Sequence, residues 1–170
     1  ILAKKNIRDA VLKNKFYVSL SLFIILAAAF PFIFPDHGLS SIRIPGVLQR
    51  IAVVYSIASI LFVYVKSNKL IYWIFGILLF YTGFMLFYPV PEFGAGLLTP
   101  IGNFSAYIDN MILSGHMWTA TKTWDPEGIF STLPAIATAL FGILTGLLLK
   151  SEKNVHEKIS VIFLYGSLLS

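Results

Sequence analysis

The stretch RIPGVLQRIAVVYSIASILFVYV, Arg43 to Val65, decides the fold. It sets two arginines and a glutamine at the mouth of an otherwise apolar run long enough to cross a bilayer as a helix. Charge at the edge of a hydrocarbon slab is costly unless it snorkels, pairs or meets a ligand. Read outward from there, the chain is an integral membrane protein with something polar on one side of it.

Composition agrees. Of 170 residues, 57% are hydrophobic and 12% are charged, whereas a soluble domain carries about 25% charged residues. The mean hydropathy is +0.80, and the apolar residues fall in long blocks, as spans require. The net charge of +5 does not indicate nucleic-acid binding, because the basic residues sit between apolar blocks, where they orient a membrane protein. The chain has no cysteine, which excludes disulfides, thiolate metal sites and cysteine nucleophiles. It begins at Ile1, and its last apolar run, Ile159 to Ser170, is too short to span. The expectation is therefore a piece of a larger membrane protein. Lys4, Lys5, Arg8, Lys13 and Lys15 are too spread out for a signal peptide, and no small-residue cleavage site follows the apolar run after them.

Four complete spans are expected, at 16–34, 47–65, 70–88 and 129–149, with a truncated fifth at 159–170. At 1.5 Å per residue each complete one reaches about 27–32 Å, close to the hydrocarbon thickness. The predicted fold class is all-α: a polytopic transmembrane helix bundle forming one domain, with a long structured outer loop at 89–128. The basic residues give the sidedness. Lys4, Lys5, Arg8, Lys13, Lys15, Lys66, Lys69, Lys150, Lys153 and Lys158 fall on one set of alternate connections, and only Arg43, Arg50 and Lys122 on the other. The first set is expected to be cytoplasmic. The long connection carries Glu92, Asp109, Asp125 and Glu127 against Lys122, which agrees with an outer position.

A connection of about 40 residues exceeds ordinary loop lengths and is expected to hold structure of its own. Ser105 to Leu113 reads as a short helix with an apolar stripe of Tyr107, Ile108, Met111 and Ile112. It is expected to lie on the membrane surface or against the bundle, or to be a lid that merely covers helix ends. In Asp125-Pro126-Glu127-Gly128, Asp125 suits an N-cap, Pro126 the first helical position and Glu127 the first turn. Ala135, Ala139, Gly142 and Gly146 repeat at helical spacing, and Gly142 with Gly146 forms a small-xxx-small pair that permits close helix approach.

The residues that could carry chemistry gather at the outer face. Arg43, Gln49 and Arg50 lie at the outer end of the second span, and Ser56 shares a helical face with Gln49. They either snorkel to headgroups or wall a pocket for an anionic or carbonyl group. Asp125 and Glu127 either cap a helix and offset its dipole or pair with Arg43 or Arg50, and both roles are compatible. His37 lies in a turn, His156 in a basic connection and His116 among aromatics in Gly115-His116-Met117-Trp118. A lone loop histidine is more often structural or exposed than catalytic. No spacing suits a metal site and no glycine loop suits a phosphate. Asn103-Phe104-Ser105 matches a glycosylation sequon.

Two stretches together resemble one family. RIPGVLQRI, Arg43 to Ile51, and the run NFSAYIDNMILSGHMW with TWDPEGIFSTLPAIATALFGILTG, between Asn103 and Gly146, are similar to the heparan-α-glucosaminide N-acetyltransferase family of polytopic membrane proteins and its bacterial relatives. The order of the motifs matches, and the resemblance covers roughly Arg43 to the end. It implies a multi-helix membrane acyltransferase that takes an acetyl group from cytoplasmic acetyl-CoA and delivers it to an amino sugar or glycan acceptor across the membrane. It also implies a catalytic histidine ahead of the matched region, so no residue here inherits that role. What carries over is a pocket-building set of Arg43, Gln49, Arg50, Asp109, His116, Asp125 and Glu127. The expected partners are the lipid bilayer, the acceptor sugar and a second copy of the chain, with no nucleic acid and no metal. The expected location is a bacterial cytoplasmic membrane. Two rival readings stay open: a transporter or flippase for a glycan or lipid-linked sugar, and a scaffold in which Arg50 and Asp125 only hold helices together.

Overall fold

The computed structural model describes residues 43–169 and the single position Ile25. Apart from Ile25, the expected first span at 16–34 lies outside the described residues, as do the N-terminal basic residues and His37. From residue 43 to 169 five α-helices follow one another: α1 (Val47–Tyr64), α2 (Leu70–Phe87), α3 (Phe104–Leu113), α4 (Thr132–Leu149) and α5 (Val155–Leu169). A 3₁₀ turn, Ser67–Lys69, leads into α2. Among the described residues there is no strand, only a lone bridge between Val90 and Gly94.

Among the described residues, three helical segments are long and apolar enough to cross a membrane: Val47–Tyr64, Ser67–Phe87 and Thr132–Leu149. The protein is therefore an integral membrane protein. α1 and α2 match the expected second and third spans to within a residue, because uninterrupted apolar runs bounded by Pro45-Gly46, by lysines and by Pro89 leave little choice of ends. α4 starts at Thr132, three residues after the expected Ile129, since 125–131 is spent on turns. α5 starts at Val155, four residues before the expected Ile159. Asn154 explains this: its Oδ1 accepts the Glu157 backbone N–H at 2.8 Å, a side-chain N-cap that the apolar run alone does not show.

α4 packs against both α1 and α2. The seam holds Ala58 and Phe62 of α1, Leu70 and Ile74 of α2, and Ile136, Ala137 and Leu140 of α4, all buried. Many other large apolar side chains of α1 and α2 are exposed, among them Ile51, Ile60, Tyr72 and Phe75, as on a lipid-facing surface, whereas Phe141, Ile143 and Leu144 of α4 pack against the seam. The expected small-residue contact is not seen among the described residues, since nothing lies within 4 Å of a Cβ built on Gly142 or Gly146.

The two ends of the bundle differ. At the lysine end the connections are single turns, and the Lys158 Nζ donates to the Leu149 carbonyl at 2.8 Å, holding one of the last carbonyls of α4. At the other end, the loop end, the chain from Tyr88 to Ser131 folds over the helix termini. An aromatic cluster anchors it: Phe104 of α3 lies 4.8 Å edge-on from Phe130 and 5.1 Å from Phe84 of α2, with Tyr81 stacked on Phe130 at 5.1 Å. Such pairs add about 0.5–1.5 kcal/mol each beyond burial. α3 is the expected short helix with one added residue at its start. Asn103 caps it, accepting the Ala106 N–H at 2.8 Å and donating its amide N–H to Thr99 O. The sequon asparagine thus has its side chain committed to the fold. The buried face of α3 is also rotated from the expected stripe: Tyr107 and Ile108 pack inward, Met111 and Ile112 are exposed, and Asp109 is buried.

Candidate functional site at the loop end

Arg43 precedes α1 in extended chain, and Pro45 and Gly46 start the helix behind it. This places its guanidinium against the turn before α4. Arg43 Nε donates to Asp125 Oδ2 at 3.0 Å and Nη2 to Asp125 Oδ1 at 2.7 Å, a bidentate fork. Nη2 also bonds the Glu127 carboxylate. The Trp118 ring stands 5.7 Å from the guanidinium carbon, within cation–π range. The Asp125 side chain is fully buried, while Arg43 keeps about a third of its side chain in contact with solvent. Two backbone donors complete the carboxylate, Trp118 N–H at 2.8 Å and Glu127 N–H at 3.0 Å. Burial alone would raise the Asp125 carboxyl. The Arg43 hydrogen bonds and these two N–H groups outweigh it and hold the group below the usual carboxylate range.

Arg50, one turn into α1, is engaged differently. Its Nη1 donates to Pro126 O at 2.8 Å and its Nη2 to Ser131 O at 2.9 Å. Of the ion pairs open to the two arginines, Arg43 makes both, and among the described residues Arg50 pairs with carbonyl oxygens. A backbone bond, Ile44 N–H to His116 O at 2.9 Å, fastens the same strip to the loop after α3. Together these contacts tie the start of α1 to 116–131.

Asp125 does not cap α4, because the helix begins seven residues later. Instead it organises the turn Asp125–Gly128, closed by Gly128 N–H to Asp125 O at 3.0 Å. That turn meets α3 through Asp109, whose Oδ1 accepts the Ile129 N–H at 2.9 Å. Asp109 is 1% exposed. Burial pushes its carboxyl up to about 6, against the pull of the Ile129 and Asp125 backbone N–H groups and with the help of the nearby Asp125 charge. Such a group exchanges its proton close to neutral pH. Gly128 makes the arrangement fit, since a Cβ there would overlap the Asp109 carboxyl group.

Beside these residues lies a cleft of about 190 Å³, walled by Tyr81 and Met85 of α2, Ser105 and Asp109 of α3, and Trp124 and Asp125. It is smaller than the roughly 300–1,000 Å³ that drug-sized ligands occupy. Its mixture of aromatic faces, hydroxyls and carboxyls suits a small polar group.

The expected site residues are thus partly assembled. Arg43, Arg50, Asp125 and Glu127 meet around one turn, and Asp109 joins them through Gly128 and Ile129. His116 contributes a backbone carbonyl. Gln49 folds back over Gly46, where its Oε1 lies 2.5 Å from the place of a glycine Cβ. Sequence reasoning missed Gly128, Trp118, Ser131 and Tyr81. Gly128, Trp118 and Ser131 stand inside the motif stretches, and Gly128 carried the one available signal, a glycine closing an acidic turn. Among the described residues no group of three His, Asp or Glu side chains could hold a metal ion. No protein-family model matches this chain, and no curated protein matches it.

Proposed function

We propose that this chain is part of a membrane-bound acyltransferase that moves an acetyl group from cytoplasmic acetyl-CoA to an amino sugar or glycan acceptor at the outer face of a bacterial cytoplasmic membrane. The observation that carries the reading is the meeting of the two family-like stretches. Arg43 and Arg50 come from the first, Asp109, Asp125 and Glu127 from the second, and they converge on one end of the bundle beside a polar cleft. Sidedness by the lysines puts that end outside, and a fourth complete span at 16–34 completes the bundle in this reading.

Acetyl transfer to an amine needs a group that takes the proton and one that stabilises the oxyanion. In this reading Asp109, with its carboxyl near neutral, is the proton-exchanging group of the cleft. Arg50 supplies positive charge at the turn it holds. The family-type histidine and the donor channel belong to the rest of the bundle.

The test is the full-length protein in liposomes, with acetyl-CoA on the lysine side and glucosamine on the other. The reading expects free CoA on one side and acetylated sugar on the other. Sugar crossing the membrane without any CoA release would favour a transporter. One observation supports the scaffold reading specifically: Arg43 and Arg50 are bonded to the protein's own carboxylates and carbonyls. Its outcome is full acetyl transfer by an Arg50→Leu variant that has lost only thermal stability.

A further inference from the structure

The lipid-facing surface of α2 does not stop where the helix ends. Leu79, Leu86 and Phe87 are exposed on the helix, and Phe93, Leu98 and Ile101 are exposed in the chain that follows. Leu98 and Ile101 are 58% and 60% exposed, and from Tyr88 to Tyr107 the only charged residue is Glu92.

This part of the connection is folded and cannot hide those side chains by collapsing further. Val90 and Gly94 exchange backbone hydrogen bonds of 2.9 and 2.8 Å, with Glu92 at the tip in the left-handed region, φ 68°. The Phe93 ring and Leu97 pack over Gly102, leaving no room for a Cβ there. Gly96 sits against the Leu86 carbonyl, which a Cβ would approach to 3.3 Å, so the loop is pressed to the end of α2. Asn103 closes it, donating both its backbone and side-chain N–H to Thr99 O. A compact, nearly uncharged loop that continues a lipid-facing helix surface has the chemistry of the membrane interface, where aromatic and aliphatic side chains lie among headgroups. The other half of the connection differs, with His116, Lys122, Asp125 and Glu127.

We propose that the loop 88–103 is seated in the interfacial layer of the leaflet on its side, with Phe87, Phe93, Leu98 and Ile101 among phospholipid headgroups and upper acyl chains. The occupant of this apolar face is lipid, by continuity with the span it extends. Pro100 and Asn103 of the same loop also wall the cleft, so a loop seated there sets one wall of the cleft at headgroup depth. The proposal holds whatever reaction the cleft serves.

The chain has no cysteine, so single nitroxide labels report cleanly once any cysteine elsewhere in the full-length protein is replaced by serine. The experiment places one label at a time in the full-length protein in phosphatidylcholine nanodiscs, as Leu98→Cys and Ile101→Cys. Leu79→Cys is the lipid reference and Lys122→Cys the water reference. Collisional relaxation is read with oxygen and with a neutral nickel chelate. Labels at 98 and 101 are expected to favour oxygen over nickel to a degree between the two references. They should also be relaxed more strongly than either reference by a nickel-chelating lipid headgroup. Nickel access equal to that at Lys122 would overturn the proposal in favour of a water-exposed loop. Shielding from both reagents would overturn it in favour of protein cover, by residues before Arg43 or by a second copy. The two positions report independently, so misfolding of one variant leaves the other decisive.

Discussion

The seam among α1, α2 and α4 and the turn at the loop end hold the same helices together by different means. The seam is apolar and lies among lipid tails as apolar as itself, so burial there gains dispersion and shape and little hydrophobic drive. The turn joins Arg43, Arg50, Asp109 and Asp125 through directional bonds, two of them from Arg43 to the fully buried Asp125 carboxylate. The difference teaches where register is set. A seam of Leu, Ile and Ala tolerates sliding and repacking, whereas a bidentate fork and a two-carbonyl grip each fit one geometry.

The comparison can be broken from the polar side first. Arg43→Leu leaves the buried Asp125 without its cation and is expected to cost about 3 kcal/mol, read as a fall in melting temperature in detergent. A fall no larger than that of a seam substitution would remove the distinction. Gly128→Ala comes next. The new methyl overlaps the Asp109 carboxyl, and overpacking of this kind costs roughly 1–3 kcal/mol. The same thermal assay checks it, and it should also displace Asp109 from the cleft.

Asp109→Asn sharpens the comparison through pH. A carboxyl whose folded pKa is raised to about 6 takes up a proton on folding between its unfolded value near 3.9 and about 6. Its favourable contribution is complete below the unfolded value and is lost as pH rises through about 6. Asn keeps the Ile129 acceptor and carries no charge, so the variant is expected to flatten that decline and gain roughly 2 kcal/mol at pH 8. Asp125 has the opposite sign. Its folded pKa is lowered, so its contribution is present above about 3.9 and lost on acidification below it. A melting-temperature profile from about pH 2.5 to 8 for the unsubstituted protein and Asp109→Asn covers both windows and distinguishes the two.

On the seam, Leu140→Ala removes a fully buried side chain and is expected to cost about 1–2 kcal/mol, the cavity part of the usual loss. Gly142→Ala should be the mildest change. Nothing described lies near it, and alanine favours a helix over glycine by about 0.8–1 kcal/mol. A lowered melting temperature would reveal a neighbour on that face.

Much of this was legible in the sequence. The spans of α1 and α2 follow from apolar length alone, and opposite charges at one end of a bundle point to an ion pair between Arg43 or Arg50 and a carboxylate, though not to which arginine takes it or that Arg43 takes both. The start of α4 was not legible. Asp125-Pro126-Glu127-Gly128 has the residues of a helix N-terminus, but Arg43, 82 positions away, and the Trp118 N–H claim the Asp125 carboxylate and hold it in a turn. The face of α3 misleads for a similar reason: an aspartate is buried because a backbone N–H from Ile129 awaits it, which no periodicity records. Small-residue spacing in α4 signals permission for close approach and names no neighbour.

The account rests on the Arg43–Asp125 pair as the fixing point between the start of α1 and the turn before α4. A double-mutant cycle of Arg43→Leu and Asp125→Asn, read by reversible unfolding in mixed micelles, measures that directly. The account predicts a coupling of roughly 2–3 kcal/mol. Additive effects, with coupling near zero, would contradict it.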